Sequence, residues 1–440
     1  MKVVPFPSGS AQGGPARPQA NTVISALDIG STKICCMIGT VDSGRRRSVD
    51  ETVPQIKVTG SGHCRSEGVR NGAIVDMAAA ERSVRVALDQ AERMAGHSVS
   101  EVYVNLSGGR AVSVYLNGKV SLRSGPVTEA DKARAMTAAM AKVETNGRAI
   151  VHASVFQYRL DDASGVVNPD GMHGSTLEAD INVVLVDPNV VANLLTLMER
   201  CHLDVAGFVV APYAAARSVL LPDEMELGVA LVDMGGGTTS FGVFNEGALV
   251  HAGMIAIGSH HVTTDIARGL NTTIAHAERV KTLWGSTVPS QLDERELITF
   301  PILGETGSDA VNRIPRSMIC GVVRPRMEEV LELVRDRLNE IPVARNIVRR
   351  IVLTGGGSQL NGVEQLAGEV LGRTVRVARP TRFSGMPDAL GTPGFCVATG
   401  LLRYGLAPDQ QSANLGRLLA GSEHDHGYFR RVGQWLKESF

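Results

Sequence analysis

The chain has 440 residues, 43% hydrophobic and 20% charged, with a formal net charge of −1 and a pI near 6.8. That length suggests roughly two to four domains at about 150 residues each, and a near-neutral balance leaves no global basic field to capture nucleic acid. No stretch reaches the roughly 18 apolar residues of a membrane-spanning helix, and Cys35, Cys36, Cys64, Cys201, Cys320 and Cys396 form no C-x-x-C pair, so they read as small buried hydrophobes in a reducing cytosol and not as a zinc site.

In chain order, residues 1–21 are dense in Pro, Gly and Ala, lack the apolar run of a signal peptide and read as a disordered lead-in. VISALDIG followed by KICCMIG predicts a strand–turn–strand hairpin that starts near Val23. If Cys35 and Cys36 lie in a strand they point to opposite faces. VDSGRRRSVDETVPQ reads as a loop and IKVTGSGHC as a strand, and MAAAERSVRVALDQAERMAG has helical periodicity ending on Gly96. EVYVNLSGG and AVSVYLNGKVSL alternate like strands of a small sheet. TEADKARAMTAAMAKV predicts a helix capped by Thr128. Residues Ser98–Ala179 therefore read as a compact α+β insertion. INVVLVD (strand), PNVVANLLTLMERC (helix) and VAGFVVAPYAAARSVLL (strand into helix) follow.

GVALVDMGGGTTSFGVFNEGALV predicts a second hairpin that repeats the first. Leu231-Val232-Asp233-Met234-Gly235 echoes Ala26-Leu27-Asp28-Ile29-Gly30 at a spacing of 205 (233 − 28). A third glycine turn, Thr354-Gly355-Gly356-Gly357, lies between the strand RIVL and the helix SQLNGVEQLAGEVLG. Repetition with strands alternating with helices indicates an α/β architecture in two halves.

The three turns share a chemistry. Small residues after each strand let a ligand approach the backbone, and uncovered N–H groups form anion-binding nests. Ser31, Thr32, Thr238 and Thr239 add hydroxyl donors and Lys33 a cation, while Asp28 and Asp233 offer hard oxygens suited to Mg²⁺ through its waters. Neither G-x-G-x-x-G spacing nor a P-loop or kinase signature is present.

ALDIGSTK, LVDMGGGTT and VLTGGGSQLNGVEQLA resemble the two phosphate motifs and the adenosine motif of the actin, heat-shock chaperone and sugar kinase superfamily. Within it, PYAAARSVL, TTDIARGLN, AERVKTLWG, RPRMEEVLELVRD and FSGMPDALGTPGFCVATGLLRYG are most similar to FtsA, the actin-like bacterial cell-division family, over about residues 22–405 and the tail. The resemblance implies a four-subdomain, two-lobed clamp around ATP and Mg²⁺. Its expected parts are subdomain 1A (22–97 and 180–225), the inserted subdomain 1C (98–179), subdomain 2A (226–261 and 321–406) and subdomain 2B (262–320). A flexible linker (407–426) and an amphipathic helix (427–440) would follow. Asp28 and Asp233 would face the metal. Gly30, Ser31, Thr32, Lys33, Gly235, Gly236, Gly237, Thr238 and Thr239 would cradle the phosphates, and Gly355, Gly356, Gly357 and Gln359 would meet the nucleotide. Glu278 and Lys281, on one helix face at i and i+3, would reach ribose and adenine, or else form a surface salt bridge.

The resemblance also carries departures and partners. Chaperone-type relatives place a water-positioning glutamate before the second motif, where this chain has Ala211 in VAPYAAA. A methyl group cannot activate water, so slow or negligible ATP turnover is expected. Ser259-His260-His261 reads as a helix start capped by Ser259, with a metal pair as the alternative. The implied partners are the C-terminal peptide of FtsZ, further copies of the chain in a filament, other division proteins and anionic lipid at the cytoplasmic face of the inner membrane. Arg313 and Arg316, with Arg324 and Arg326 nearby, could pair with an acidic peptide or form a solvated basic face. A platform resembling the pilus-assembly protein PilM is the rival binding reading, and an ATP-dependent small-molecule kinase the rival enzyme.

The end of the chain, GYFRRVGQWLKESF, carries its own signal. On a helical wheel Tyr428, Phe429, Val432, Trp435, Leu436 and Phe440 fall within about 160°, and Arg430, Arg431 and Lys437 lie opposite. That pattern predicts an interfacial anchor, apolar face among acyl chains and cations toward anionic headgroups. The alternative is a terminal helix docked on its own domain.

Overall fold

The structure is a computed structural model and describes residues 21–42, 55–123, 125–304 and 311–406. Most of the lead-in, the expected linker and the amphipathic tail lie outside the described residues. The fold is mixed α/β, two-lobed and actin-like, with an inserted α+β unit. No helix among the described residues is long and apolar enough to cross a membrane.

Two five-stranded sheets repeat one plan. In the first, the strands run in the order Asp204–Val210, Glu101–Leu106, Val23–Ile29, Lys33–Asp42, Gln55–Arg65. In the second the order is Thr374–Val377, Arg350–Thr354, Val229–Met234, Thr239–Asn245, Ala248–Ile255. Each sheet joins three parallel strands to an antiparallel meander, and each places its aspartate at the penultimate residue of the hairpin's first strand. Asp28 pairs with Cys35 and Asp233 with Ser240. The duplicated motifs thus sit at equivalent ends of duplicated sheets.

The cores explain the apolar runs. Strands covered on both faces read as continuous hydrophobic sequence; Leu27, Ile34, Cys35, Cys36 and Met37 are fully buried in the first lobe. Both faces of that strand are covered, so the two vicinal cysteines are buried although they point apart. Phe241 is buried in the second lobe, where Ala230, Val232, Ile351 and Leu353 join one cluster with helix Arg316–Glu340. Helix Met77–Ala95 ends as its sequence predicts, with Gly96 at φ 78°.

The insert is a four-stranded sheet carrying helix Glu129–Met140, whose Thr128 and Asp131 form a capping box. Its expected edges need correction. EVYVNL is not part of it: Glu101–Leu106 pairs in parallel with Val23–Ile29, Ala26 opposite Tyr103, and belongs to the first lobe. INVVLVD is the second half of one long insert strand, Thr176–Val186. Helix Arg316–Glu340 also runs across the boundary expected at 320.

Although the insert leaves the chain within the first lobe, it is fastened to the second. Ser113 Oγ donates to Ala252 O (3.2 Å) and accepts from Ala252 N (2.9 Å), and Ser154 Oγ and Asn182 Nδ2 both donate to Leu249 O (2.9 and 3.3 Å). The Tyr115 hydroxyl and His251 Nδ1 share a hydrogen bond of 2.7 Å, and burial pushes His251 down to about 4. A cavity of about 380 Å³ lies at the same junction, between Phe156, Tyr213 and Glu246, away from the glycine turns.

Candidate nucleotide site

The two hairpin turns meet face to face. A methyl group added at Gly236 would lie 2.3 Å from Thr32 Cγ2, and Gly237 is as tightly packed against Ser31. Glycine at both positions lets the second backbone close on the first. The turns are braced from below: Ile29 N donates to the buried Asn105 Oδ1 (2.7 Å), Gly72 N to Ser31 Oγ (3.0 Å) and Ser66 N to Thr32 O (3.1 Å). Ser259 N and His260 N donate to the carbonyls of Gly235 and Gly236 (2.9 and 2.8 Å). Asn105, Gly72 and Ser66 escaped the sequence reading because no local pattern marks them; they act only through the fold.

Asp28 and Asp233 face this junction. Burial raises the Asp28 carboxyl to about 6, with Lys33 pulling the other way. Asp233 is partly buried; burial, then the charge of Asp28, raises it to about 7 against Lys33. Two crowded carboxylates served by one lysine lack positive charge. That imbalance, with hydroxyls and exposed backbone alongside, fits a hydrated divalent cation carrying phosphates. Among the described residues no group of three or more His, Cys, Asp or Glu gathers as a direct metal cage.

The third turn packs against the second. Gly355 has φ +83°, and a methyl group there would stand 2.3 Å from Asp233 Oδ1. Gly356–Gln359 forms a short 3₁₀ turn, so the following helix begins only at Val363; Gln359 is exposed and Gly357 buried. Thr238 is buried beside Gly235. Thr239 is fully buried and donates its hydroxyl to Ile257 O at 2.8 Å, which makes it a support of the turn. Lys33 reaches across the cleft, its ammonium donating to Gly394 O and standing 3.3 Å from the Phe395 ring centroid. The cation thus ties the first turn to the segment after the third, where a cation–π contact adds to the hydrogen bond.

Glu278 and Lys281 form a half-buried ion pair. Lys281 Nζ donates to Glu278 Oε2 (2.7 Å), Thr263 Oγ1 (2.9 Å) and Ser259 O (3.2 Å), which occupies all three of its donors. Burial would raise Glu278, but Lys281 and Thr263 outweigh it and hold the carboxyl below its usual range. Lys281 is therefore committed to joining its helix to Ser259–Gly269, whereas the Glu278 side chain, 51% exposed, can still meet a ligand. The cap of the latter helix is Gly258, not Ser259: its N–H donates to His261 Nδ1 at 3.1 Å, so the ring does the work of a capping side chain.

Of the arginines offered to a peptide partner, three are engaged within the fold. Arg316 pairs with Glu296 (3.1 Å) and Asp293 (3.6 Å), Arg324 with Glu328 and Glu369, and Arg326 with Asp265 and Glu329. Arg313 is exposed and makes no ion pair among the described residues. Ala211 opens helix Ala211–Val219 and is fully buried.

Comparison with known proteins follows the same lines. The family pattern described as cell division protein FtsA matches residues 230–400, and the SHS2 domain inserted in FtsA matches residues 108–185. The chain is 42% identical to the cell division protein FtsA of Rhizobium meliloti (strain 1021) over 95% of each chain. It is 32% identical to that of Pseudomonas aeruginosa, over 96% of this chain and 99% of the relative, and 30% identical to that of Escherichia coli K12, over 95% and 98%. Among solved structures it is similar in fold to the PilM-PilN type IV pilus biogenesis complex (17% identity, TM-score 0.59, 89% of this chain and 100% of the other). It also resembles MreB5 of Spiroplasma citri bound to ADP (15%, TM-score 0.52, 91% and 99%).

Proposed function

The chain belongs to the FtsA family of cell-division proteins, and from that premise we propose that it is an ATP-binding, actin-like tether that polymerises and holds the FtsZ ring at the cytoplasmic face of the inner membrane, where it recruits later division proteins. The observation that carries the nucleotide half is the closure of two matched turns on each other, with Asp28 and Asp233 crowded between them and short of positive charge. A Mg²⁺ ion would place positive charge between the two carboxylates and the phosphates, whose own charge would be met by Lys33 and the backbone N–H groups. Asp28 and Asp233 would hold the hydrated ion, backbone N–H groups and hydroxyls of Gly30–Lys33 and Gly235–Thr238 would hold the phosphates, and Gly355–Gly357, Gln359 and Glu278 would bound the nucleoside. Lys33, which donates to Gly394 O, would be the first turn's cation toward the phosphates.

With an alanine at 211, no carboxylate stands at that position to orient a water, so the bound nucleotide serves to close the cleft and favour subunit contacts. Turnover is slow or negligible beside the roughly 1–1000 per second of ordinary enzymes. The likeness to PilM is one of fold, and a kinase would need a catalytic acid beside a second substrate. Arg313 is the cation best placed to meet an acidic FtsZ peptide, since Arg316 is occupied by Glu296 and Asp293. The anchor is assigned to residues 427–440, whose cations Arg430, Arg431 and Lys437 each contribute about 1 kcal/mol near anionic lipid. Filament formation multiplies these weak attachments through effective concentration.

The test is co-sedimentation of the full chain and an FtsZ C-terminal peptide with vesicles containing phosphatidylglycerol. ATP-stimulated capture of the peptide that disappears in Trp435→Glu is expected. Capture that persists unchanged in that variant contradicts the anchor.

A further inference from the structure

The outer end of the second lobe's sheet, remote from the glycine turns, treats two pairs of arginines differently. Strands Arg350–Thr354 and Thr374–Val377 run in parallel with Arg350 opposite Thr374 and Val352 opposite Arg376. Side chains alternate along strands, so Arg350 and Arg376 share one face. Arg349 and Arg373, each one residue before its strand, are neighbours on the other face, one strand spacing of about 4.8 Å apart.

On the first face the fold supplies a counter-charge. Glu224, 7% exposed, accepts from Arg376 Nε and Nη2 (2.8 and 2.6 Å) and from Arg350 Nη1 (3.4 Å). On the second face no such acid is present among the described residues. Neither Arg349 nor Arg373 makes an ion pair there, and Arg373 Nη1 is sealed from solvent with no hydrogen-bond partner. Burial, then the neighbouring Arg349 charge, pushes the Arg373 guanidinium down. Like charges side by side on a sheet are destabilising, and an unmet buried donor costs more. Arg373 is held in place by its partial burial, whereas Arg349 is exposed and free to close over a ligand.

We infer that Arg349 and Arg373 form an anion site for a phosphate group, separate from the nucleotide cleft. The opposite face argues for phosphate over carboxylate. There a carboxylate with two oxygens gives both to Arg376 and reaches Arg350 only at 3.4 Å. A phosphate group has more oxygens and can satisfy two guanidinium forks together. The site lies at the start of the five-residue strand Arg350–Thr354, about 17 Å from the third turn that follows it. The same phosphate chemistry can come from an anionic lipid headgroup or from a soluble phosphate compound.

The experiment compares thermal melts of the full chain in sodium phosphate and in sodium chloride at equal ionic strength. Any response of the nucleotide cleft is common to all variants and cancels. Phosphate is expected to raise the wild-type Tm by about 1–2 °C more than it raises that of Arg349→Gln/Arg373→Gln. Arg349→Gln alone, at an exposed position that leaves the fold intact, loses most of that difference, and Arg345→Gln, an exposed neighbour outside the pair, loses none. A second arm assigns the source in the Trp435→Glu background, where the tail no longer contributes. Vesicle binding that needs Arg349 and Arg373 identifies a lipid headgroup; a phosphate response without vesicle binding supports the site and assigns it to a soluble compound. An equal phosphate response in wild type and double variant, or an equal loss in Arg345→Gln, overturns the inference.

Discussion

The two lobes use the same sheet and differ in where the chain leaves it. In the first lobe the excursion comes between the last two parallel strands, Glu101–Leu106 and Asp204–Val210, and builds the insert. In the second it comes after the meander, between Ala248–Ile255 and Arg350–Thr354, and contributes the hairpin Leu297–Pro301/Val311–Pro315 with the helices around it. The ends that carry Asp28 and Asp233 are alike, and the excursions are not. The aspartates and their turns lie in the repeated part; the SHS2 match falls on the first excursion, whereas the FtsA pattern spans the second lobe's sheet and excursion together. The insert also crosses the divide through Ser113, Ser154 and Asn182, so the lobes are linked beside the cleft as well as through it.

The largest effect is expected at Gly355, in the turn that follows the strand Arg350–Thr354. Gly355→Val places a branched side chain at φ +83° against Asp233. A loss of about 3 kcal/mol in stability and of ATP binding by more than about 100-fold is expected, read by denaturant melts and nucleotide titration.

Asp28 and Asp233 offer the next contrast. A carboxyl whose pKa is raised by folding favours the folded state while protonated, below its unfolded value of about 3.9, and loses that contribution as pH rises through the folded value. For Asp28 and Asp233 the loss runs through about 6 and about 7. The nucleotide-free Tm of wild type should therefore fall relative to that of Asp233→Asn as pH rises from about 4 to 7, leaving the variant with the higher Tm at pH 8. The same variant weakens Mg²⁺-dependent ATP binding by about tenfold or more. A Tm difference between wild type and Asp233→Asn that stays constant over this interval would contradict the assignment.

Smaller effects separate the excursions from the repeat. Arg313→Gln should weaken binding of the FtsZ peptide about threefold to tenfold with no change in Tm, whereas Arg316→Gln should lower the Tm through loss of Glu296 and Asp293. Thr128→Ala removes the insert's capping box and should cost about 1 kcal/mol while leaving ATP affinity unchanged. Chemical denaturation and titration of the same preparations check both.

What the sequence made legible was local. The hairpins, their aspartates and the third glycine turn follow from strand patterns and glycine spacing, and the Thr128 and Gly96 caps from the residues next to them. Strand membership was not legible: EVYVNL alternates equally well for either sheet, and only its pairing with Val23–Ile29 assigns it to the first lobe. Lys281 could be placed on a helix face beside Glu278, but its capture by Thr263 depends on a second helix, 18 residues earlier in the chain. His261 as a cap was hidden because an imidazole rarely fills that role, and Asn105 because its partner, Ile29, lies 76 residues earlier.

The central claim is that Asp28 and Asp233 form one Mg²⁺–nucleotide site between matched turns. Titration of the full chain with ATP, with and without Mg²⁺, in wild type, Asp28→Asn and Asp233→Asn tests it most directly. Mg²⁺-dependent binding weakened in both variants by about the same factor is predicted. Binding that ignores Mg²⁺, or that either substitution leaves intact, would contradict it.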